Sequence, residues 1–330
     1  MFTKQNKQAR QMKALRIKNG SISLREIKNP QPIDNEALVK VTLAGICATD
    51  REIIKGYMDF NGTLGHEFVG MVEECETSPE LIGKRVVGEI NSGCGYCEFC
   101  RKDQSRHCFE RDVLGISGRD GAFAEYLVLP AWNLHVIPDS ISDEAAVFTE
   151  PLAAALEILN QVHITPDTTV LLIGDGRLAQ LIARVLERVS CRVEVVGKSV
   201  PKIKRMKEFL HKGYLNRQPP SVRYPFVIEA SGSPRGWNTA IDSVEPRGTI
   251  ILKSTYARNF DFNPAPIVLN ELNIVGSRCG PFEPALHMLD SGMEVENLID
   301  GTYSLDEWKS AFEKFQEDDT IKVIFRLDSA

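Results

Sequence analysis

Apolar and polar residues follow two different patterns along the chain, and the pattern changes near residue 142. Before that point, short β-type runs such as residues 37–42, 68–73 and 85–89 are bounded by Gly, Asn, Asp or Pro. Such a density of short strands is typical of a compact β barrel or sandwich. The first part of the chain is therefore predicted to be all-β.

After residue 142, helical segments alternate with short apolar runs. Residues 143–160 have a helical pattern, and the continuous apolar run at 169–173 predicts a strand buried on both faces of a parallel sheet. Residues 177–189 carry an apolar stripe at helical spacing. Further apolar strands are predicted at 193–196, 226–228, 249–252 and 273–275. This alternation predicts a doubly wound α/β domain.

Two later segments complete the pattern. Residues 198–225 are short for a helix, a strand and a second helix, and they contain Pro219 and Pro220. We therefore expect one irregular crossover, with the third strand limited to residues 214–216. After about residue 281, an amphipathic helix at 305–315 and a last strand at 321–325 are predicted.

Length, composition and charge narrow the class of protein. The 330 residues are 43% hydrophobic and 25% charged, enough for two domains with their own cores. No stretch approaches the roughly 20 apolar residues of a membrane span, and the net charge of −6 argues against nucleic acid as the main partner. The polar, basic start lacks the apolar region of a secretory signal, so we expect a cytoplasmic protein, with a short transit peptide as the alternative.

Half of the eight cysteines fall in one short window, at Cys94, Cys97, Cys100 and Cys108. Disulfides are disfavoured there, because adjacent C-x-x-C pairs bridge poorly and nothing in the chain indicates secretion. Four thiolates on so short a segment can surround one tetrahedral zinc ion and leave no open position. The window therefore predicts a structural zinc site, with free or redox-active thiols as the alternative.

A glycine-rich segment follows the buried strand at 169–173 and opens the next helix. Gly174, Gly176 and Ala179 match the G-x-G-x-x-G/A fingerprint in its proper context between a strand and a helix. The first glycine permits the tight turn, the second lets a pyrophosphate approach the backbone, and the alanine allows close packing. The helix N-terminus then offers free N–H groups to the phosphates. The segment predicts dinucleotide binding.

The second strand of this domain bears on the choice of dinucleotide. A carboxylate at its end would hold the ribose 2′-OH of NAD, but the sequence there is Gly197-Lys198-Ser199. Glu194 lies in the middle of the strand, so it is badly placed for that contact. A small residue followed by a cation and a hydroxyl suits a 2′-phosphate, and NADP(H) is predicted over NAD(H). The alternative is that Lys198 is only a solvated loop residue.

Cys47 and His66 lie upstream of the cysteine window and are candidates for a second metal site. A catalytic zinc takes three protein ligands and leaves the fourth position for water or substrate. Glu67 and Glu150 are the candidates for the third ligand. Glu150 precedes Pro151 at an expected helix start, so its charge could equally serve the helix dipole.

Together these motifs resemble the zinc-containing medium-chain dehydrogenase/reductase family, which comprises alcohol, polyol and sugar dehydrogenases. The resemblance rests on the segments at 45–50, 65–70, 94–108, 149–152 and 174–176, and it extends from about residue 12 to the end. It implies an α/β fold in which a Rossmann doubly wound parallel sheet is inserted in a GroES-like, β-rich catalytic domain. The implied boundaries are a tail at 1–11, the catalytic domain at 12–150 plus 282–330 with a zinc lobe at 93–109, and the Rossmann NAD(P)-binding domain at 151–281.

The resemblance also implies roles for individual residues. Cys47, His66 and Glu150 carry over as ligands of a catalytic zinc, with Glu67 as an exchangeable ligand or a group just behind it. Asp50 would orient His66, and Thr49 would start a proton relay. Further cofactor contacts are expected at Ser254, Thr255, Ser277 and Arg278.

Glu52 marks a departure from many alcohol and polyol members, which have a histidine there to end the proton relay. The string Cys47-Ala-Thr-Asp-Arg-Glu52 is similar to the sugar-dehydrogenase branch, and we keep Glu52 as a candidate catalytic residue. The implied activity is hydride transfer between a nicotinamide cofactor and an alcohol, polyol or sugar. The alternatives are a carbonyl reductase in the physiological direction and a cofactor-binding relative without turnover. The resemblance further implies a homodimer or homotetramer acting on a small molecule.

Overall fold

The computed structural model describes residues 10–216, 218–256 and 259–327. The tail expected at 1–11 lies outside the described residues up to residue 9, and the first strand already begins at Gln11. In chain order, the strands are β1 Gln11–Lys18, β2 Ser21–Lys28, β3 Glu36–Gly45, β4 Gly62–Thr63, β5 Glu67–Cys75, β6 Arg85–Gly88, β7 Asn91–Ser92, β8 Asp112–Leu114, β9 Gly118–Arg119, β10 Tyr126–Pro130, β11 Leu134–Val136, β12 Thr169–Ile173, β13 Arg192–Gly197, β14 Lys212–Leu215, β15 Tyr224–Glu229, β16 Val244–Leu252, β17 Asn273–Gly276, β18 Ile299–Ser304 and β19 Lys322–Arg326. The α-helices are α1 Ala48–Ile54, α2 Asp143–Ala146, α3 Thr149–Gln161, α4 Arg177–Arg188, α5 Val200–Arg205, α6 Pro234–Ser243, α7 Ala265–Leu269, α8 Phe282–Asp290 and α9 Trp308–Gln316.

The chain divides into two compact units. The first unit comprises residues 1–150, 289–316 and 322–330, and the second comprises 151–288 and 317–321. The second unit gives way to the first after residue 288, within α8, whereas the resemblance implied a boundary at residue 281. The two boundaries differ by less than one helix, because Pro281 ends a loop and the helix after it continues without a break to Asp290.

The first unit is built on mainly antiparallel β structure, with β18 and β19 paired in parallel. Its largest sheet has the order β11-β6-β5-β3-β19-β18, with β10 also pairing with β3. The central strand β3 pairs with β5 on one side and with β19 on the other, so the C-terminal strand completes the sheet begun by the N-terminal residues. Phe123 and Phe325 pack edge to face in the core, with ring centroids 5.0 Å apart. The predicted β-rich unit is confirmed, but it is not all-β, because α1 at Ala48–Ile54 interrupts the strands.

The second unit contains a parallel sheet with the strand order β14-β13-β12-β15-β16-β17. This order reverses between β12 and β15, and the crevice at such a reversal is where doubly wound sheets bind ligands. The core strand β12 is buried along Val170–Ile173, as its apolar run predicted. Leu171 and Val227 pack in the same buried cluster as Ile250 on β16. The predicted doubly wound α/β unit is confirmed.

The crossover that follows β13 has the expected irregularity. The helix α5 is six residues long, and the described residues between β14 and β15, 216 and 218–223, contain no helix. The strand β14 begins at Lys212, earlier than the expected 214–216. Its first two residues, Lys212 and Gly213, are exposed, so they gave no apolar signal. None of the described helices is both long and apolar enough to cross a membrane.

Candidate metal centres and cofactor loop

Three potential metal ligands lie together where β3 leads into α1 and β5 begins. The ligand atoms of Cys47, His66 and Glu67 all lie within 4.8 Å of one another. Cys47 is the N-cap of α1, His66 directly precedes β5, and Glu67 is the first residue of that strand. Because Gly45 at the end of β3 pairs with Glu67, the sheet register sets the position of Cys47, two residues further along.

Asp50 connects the first two of these residues. Its Oδ2 accepts a hydrogen bond from the backbone N–H of Cys47 at 2.8 Å, and its Oδ1 lies 3.3 Å from Nδ1 of His66. Asp50 Oδ1 and His66 Nδ1 are both buried, and neither makes a well-aligned hydrogen bond among the described residues. A metal on the other ring nitrogen would leave Nδ1 as the donor to Asp50, which is the usual arrangement behind a metal-bound histidine. The unsatisfied pair therefore fits a bound metal ion.

The charges around Cys47 favour its thiolate, which is the form that binds a metal. Burial opposes charge on the His66 imidazole, but Asp50 and Cys47 together raise its pKa well above the ordinary 6.5. Burial also disfavours the thiolate, yet the facing His66 lowers the pKa of Cys47 from the ordinary 9.0. Zinc binds the thiolate rather than the thiol. A half-buried thiolate with a buried imidazole and a buried carboxylate forms a donor set that zinc accepts.

Glu150 lies near this group without belonging to it. Its negative charge is close enough to raise the pKa of Cys47, but the three-residue group found among the described residues contains Glu67 instead. Glu150 is half-buried in the first turn of α3 and precedes Pro151. Of the two acidic candidates for the third ligand, Glu67 thus belongs to the group and Glu150 lies beside it.

Thr49 and Glu52 lie on α1 in different surroundings. The hydroxyl of Thr49 lies 3.7 Å from the sulfur of Cys47. Glu52 accepts hydrogen bonds from Lys55 at 3.0 Å and from Arg51 at 3.1 Å. Partial burial raises the pKa of Glu52, but these two cations lower it more. The structure therefore brings Thr49 to the metal site and places Glu52 in an ion pair at the surface of the helix.

The four clustered cysteines converge as their spacing predicted. Their sulfurs lie within 4.8 Å of one another, and none of these cysteines is in a disulfide. The Cys97 and Cys100 sulfurs are 3.5 Å apart, and those of Cys94 and Cys100 are 4.0 Å apart. Four sulfurs at the usual zinc–sulfur distance of about 2.3 Å in a tetrahedron lie about 3.8 Å apart. The arrangement fits a closed structural zinc site.

The phosphate loop has the predicted position between β12 and α4. Gly174 has a φ of +122°, and a Cβ on it would lie 2.6 Å from the carbonyl oxygen of Ala230. Only glycine is tolerated at such a position. A Cβ on Gly176 would meet no atom within 4 Å, so the backbone there faces open space at the helix N-terminus. Ala179 is fully buried. These features fit a bound pyrophosphate.

Carboxylates surround the end of β13, where the 2′-phosphate of NADP was expected. Asp175 accepts hydrogen bonds from the backbone N–H groups of Lys198 at 2.8 Å and Ser199 at 2.6 Å. The Ser199 hydroxyl donates to Asp319 at 2.7 Å, and the exposed ammonium of Lys198 lies 3.7 Å from Asp318. The side chains of Lys198 and Ser199 thus already have acidic neighbours.

The remaining predicted cofactor contacts lie after β16 and β17. Ser254 Oγ accepts a hydrogen bond from the backbone of Gly232 at 2.8 Å, and Thr255 is exposed. Ser277 is buried, and its hydroxyl accepts a hydrogen bond from the ammonium of Lys253 at 3.0 Å. The same ammonium also donates to the backbone carbonyl of Arg278 at 3.2 Å. Lys253 therefore ties the two loops together at the carboxyl edge of the sheet.

Four charged residues beside these sites were missed by the sequence patterns. Asp175 lies within the glycine fingerprint, so the motif itself could have marked it as a residue beside the cofactor site. Lys202, one turn into α5, is buried near Asp175, and its pKa is lowered chiefly by that burial. Asp319 and Lys322 come from the C-terminal segment, far in sequence from the residues they contact, and no local pattern marks them.

Comparisons with known proteins agree with this geometry. Residues 33–139 match the alcohol dehydrogenase GroES-like domain. The chain is 28% identical to the D-arabitol-phosphate dehydrogenase of Enterococcus avium, over 91% of this chain and 92% of that protein. It is similar to a solved short chain alcohol dehydrogenase of Escherichia coli CFT073 in complex with NADH, with a TM-score of 0.89, 28% identity, and coverage of 96% and 99%. A solved putative zinc-binding dehydrogenase of Sinorhizobium meliloti 1021 bound to NADP has a TM-score of 0.87, 27% identity and the same coverage.

Proposed function

We propose that the chain belongs to the zinc-containing medium-chain dehydrogenase/reductase family and that it transfers a hydride between a nicotinamide cofactor and the hydroxyl or carbonyl carbon of an alcohol, polyol or sugar. The observation that carries this function is the group of half-buried Cys47 with buried His66 and Glu67, together with its unsatisfied Asp50–His66 pair. A non-catalytic relative has no need of a buried site with three ligands. The glycine loop of the second unit supplies the cofactor site.

The proposed chemistry assigns a task to each residue of the metal site. Cys47, His66 and Glu150 would hold a zinc ion, which stabilises an alkoxide and polarises a carbonyl. Asp50 holds the imidazole of His66 in its ligand orientation. Thr49 would receive the substrate hydroxyl proton and pass its own hydroxyl proton outward to solvent, and a bound nicotinamide would supply the hydride acceptor. Alcohol and oxidised cofactor thus give carbonyl, reduced cofactor and one proton.

A count of bound metal tests this function against a cofactor-binding role without turnover. We expect about two zinc ions per chain, one at Cys94, Cys97, Cys100 and Cys108, and one at the buried group with Cys47. The count is to be combined with assays on alcohols, polyols and aldoses with both cofactors. One zinc per chain, together with no turnover of any substrate, would identify a binding protein instead.

NADP(H) is the cofactor we propose in preference to NAD(H). The supporting features are Gly197 at the end of β13, where NAD enzymes need a carboxylate, and the cations Lys198 and Lys202 just beyond it. Asp319 beside Ser199 opposes a 2′-phosphate, so the preference is expected to be moderate. The same family membership leads us to propose a cytoplasmic homodimer or homotetramer that acts on a small molecule.

Replacement of Lys198 by Ala is expected to lower kcat/KM for NADP⁺ about tenfold and to leave NAD⁺ almost unchanged. A hydrogen bond to a charged group contributes about 1.5 kcal/mol, which corresponds to that factor. Lys204→Ala is the matched control, because Lys204 is an exposed lysine on α5, the helix that begins two residues after Lys198. Asp319→Asn is expected to shift the preference further toward NADP⁺. A wild-type preference for NAD⁺ in steady-state kinetics would contradict the cofactor proposal.

Replacement of Asp50 by Asn is expected to weaken zinc binding at the Cys47 site by about 10- to 100-fold. Loss of the carboxylate that accepts a hydrogen bond from a metal-bound histidine generally has an effect of this size. The physical reason is that Asp50 orients both His66 and the backbone of Cys47. Competition with a chromogenic chelator measures the affinity. Asp139→Asn, a change at an exposed aspartate of the same unit, is the control. Equal affinities for both variants would rule out the orienting role.

A further inference from the structure

A buried lysine lies behind the metal site and has no part in the mechanism above. The ammonium of Lys322 contacts Oε2 of Glu67, and both side chains are enclosed, at 4% and 3% exposure. The ring centroid of Phe148 lies 5.3 Å from the same ammonium. A buried cation thus holds Glu67, one of the two acidic candidates for the third metal ligand.

The sheet register creates this contact. In β3, Gly45 pairs with Glu67 of β5 on one side and with Ile324 of β19 on the other. Lys322 is two residues from Ile324 and therefore faces the same side of the sheet. A Cβ on Gly45 would lie 2.5 Å from the Lys322 ammonium and 2.6 Å from the Glu67 carboxylate. The missing side chain of Gly45 lets Lys322 reach across the central strand.

Stability alone does not account for such a pair. Taking a lysine and a glutamate out of water costs several kcal/mol for each ion, and their attraction often only offsets that cost. Burial lowers the pKa of Lys322 to about 8, although the anionic Cys47 and Asp50 favour its charged form. Apolar residues of similar size would fill the same space without the desolvation cost. The position of the pair beside the metal ligands points to a role there.

We propose that Lys322 is a positioning residue that competes with the catalytic zinc for Glu67 and so keeps the fourth position of the metal open. The inference rests on the proposed function. It also states which of the two acidic candidates, Glu67 or Glu150, binds the zinc when no substrate is present. With Glu67 held by Lys322, the resting ligands are Cys47, His66 and Glu150. Two anionic ligands neutralise Zn²⁺, whereas a third would give the site a net negative charge and weaken its pull on a substrate oxygen.

Cobalt-substituted protein allows a test without turnover. The full chain is loaded with Co²⁺, and imidazole is added as an external ligand for the open position while the visible spectrum is recorded. The closed four-cysteine site has no open position, so the imidazole response reports on the Cys47 site alone. We expect a response in the wild type, and its loss in Lys322→Met, where Glu67 is released to fill the position. The response should return in Glu67→Gln/Lys322→Met and persist in Lys322→Arg.

Chelator competition gives the second readout. Lys322→Met is expected to bind zinc about tenfold more tightly at this site, since it gains a ligand. If Lys322→Met fails to fold, the single variant Glu67→Gln still tests the inference. It should change zinc affinity by no more than about twofold, because Glu67 is not a resting ligand. An unchanged imidazole response in Lys322→Met, or a tenfold loss of affinity in Glu67→Gln, would overturn the inference. A wild type without any imidazole-responsive cobalt would overturn the proposed function instead.

Discussion

Replacement of Cys47 by Ala is expected to lower kcat at least about a thousandfold while the dissociation constant for the cofactor changes little. Cys47 is the proposed thiolate ligand of the catalytic zinc, and although burial disfavours its thiolate, His66 lowers its pKa from the ordinary 9.0. The loss of metal-ion stabilisation of an alkoxide amounts to several kcal/mol, and about 4 kcal/mol corresponds to a factor of a thousand. The cofactor loop belongs to the other unit of the chain, so cofactor binding should persist.

The matched control for this variant is Cys75→Ala. Cys75 is also buried in the first unit, but it lies at the far end of β5 from Glu67. Steady-state kinetics and cofactor titration by nucleotide fluorescence measure the two quantities. Turnover in Cys47→Ala within a factor of ten of the Cys75→Ala control would refute a catalytic zinc at this cysteine.

Replacement of Cys108 by Ala is expected to remove the structural zinc and to lower the free energy of unfolding by about 4 kcal/mol or more, or roughly 10 °C in Tm. Cys108 is the most enclosed of the four clustered cysteines, with 1% exposure. Its sulfur accepts a hydrogen bond from the backbone N–H of Cys94, so it joins both ends of the lobe. Zinc should fall from about two ions per chain to about one.

Cys191→Ala serves as the control for loss of a buried cysteine outside the lobe. Thermal unfolding and elemental zinc analysis are the measurements. The two zinc-site variants should each retain about one ion, but Cys47→Ala loses turnover and Cys108→Ala loses mainly stability. Full zinc content in Cys108→Ala would show that the four cysteines do not hold a metal.

Local patterns in the sequence were sufficient for the fold class and for the four-cysteine site. The apolar run of β12 and the glycines at 174 and 176 are contiguous, so their strand–turn–helix geometry follows from neighbouring residues. The four cysteines likewise share one short segment, and their convergence needs no distant contact. The structure confirms the parallel sheet and the β-rich unit that these patterns predicted.

Contacts between distant segments were not predictable in the same way. Lys322 meets Glu67 because the last strand, β19, pairs with β3, and no local pattern in a single sequence reveals that pairing. Asp319 and Ser199 are likewise far apart in sequence, so no local pattern reveals the hydrogen bond between them. Both contacts change the expected chemistry, since one restrains a candidate zinc ligand and the other places an acid beside the expected 2′-phosphate site.

The most direct test of the account is the zinc dependence of cofactor reduction. The protein is depleted of its more labile zinc with a chelator, and formation of NADPH or NADH is followed at 340 nm with a panel of alcohols, polyols and aldoses as zinc is added back. The expected result is substrate-dependent reduction that is lost with the metal and returns with about one equivalent of zinc, but not in Cys47→Ala. Reduction that is unaffected by zinc removal, or none with any substrate at full zinc loading, would contradict the account.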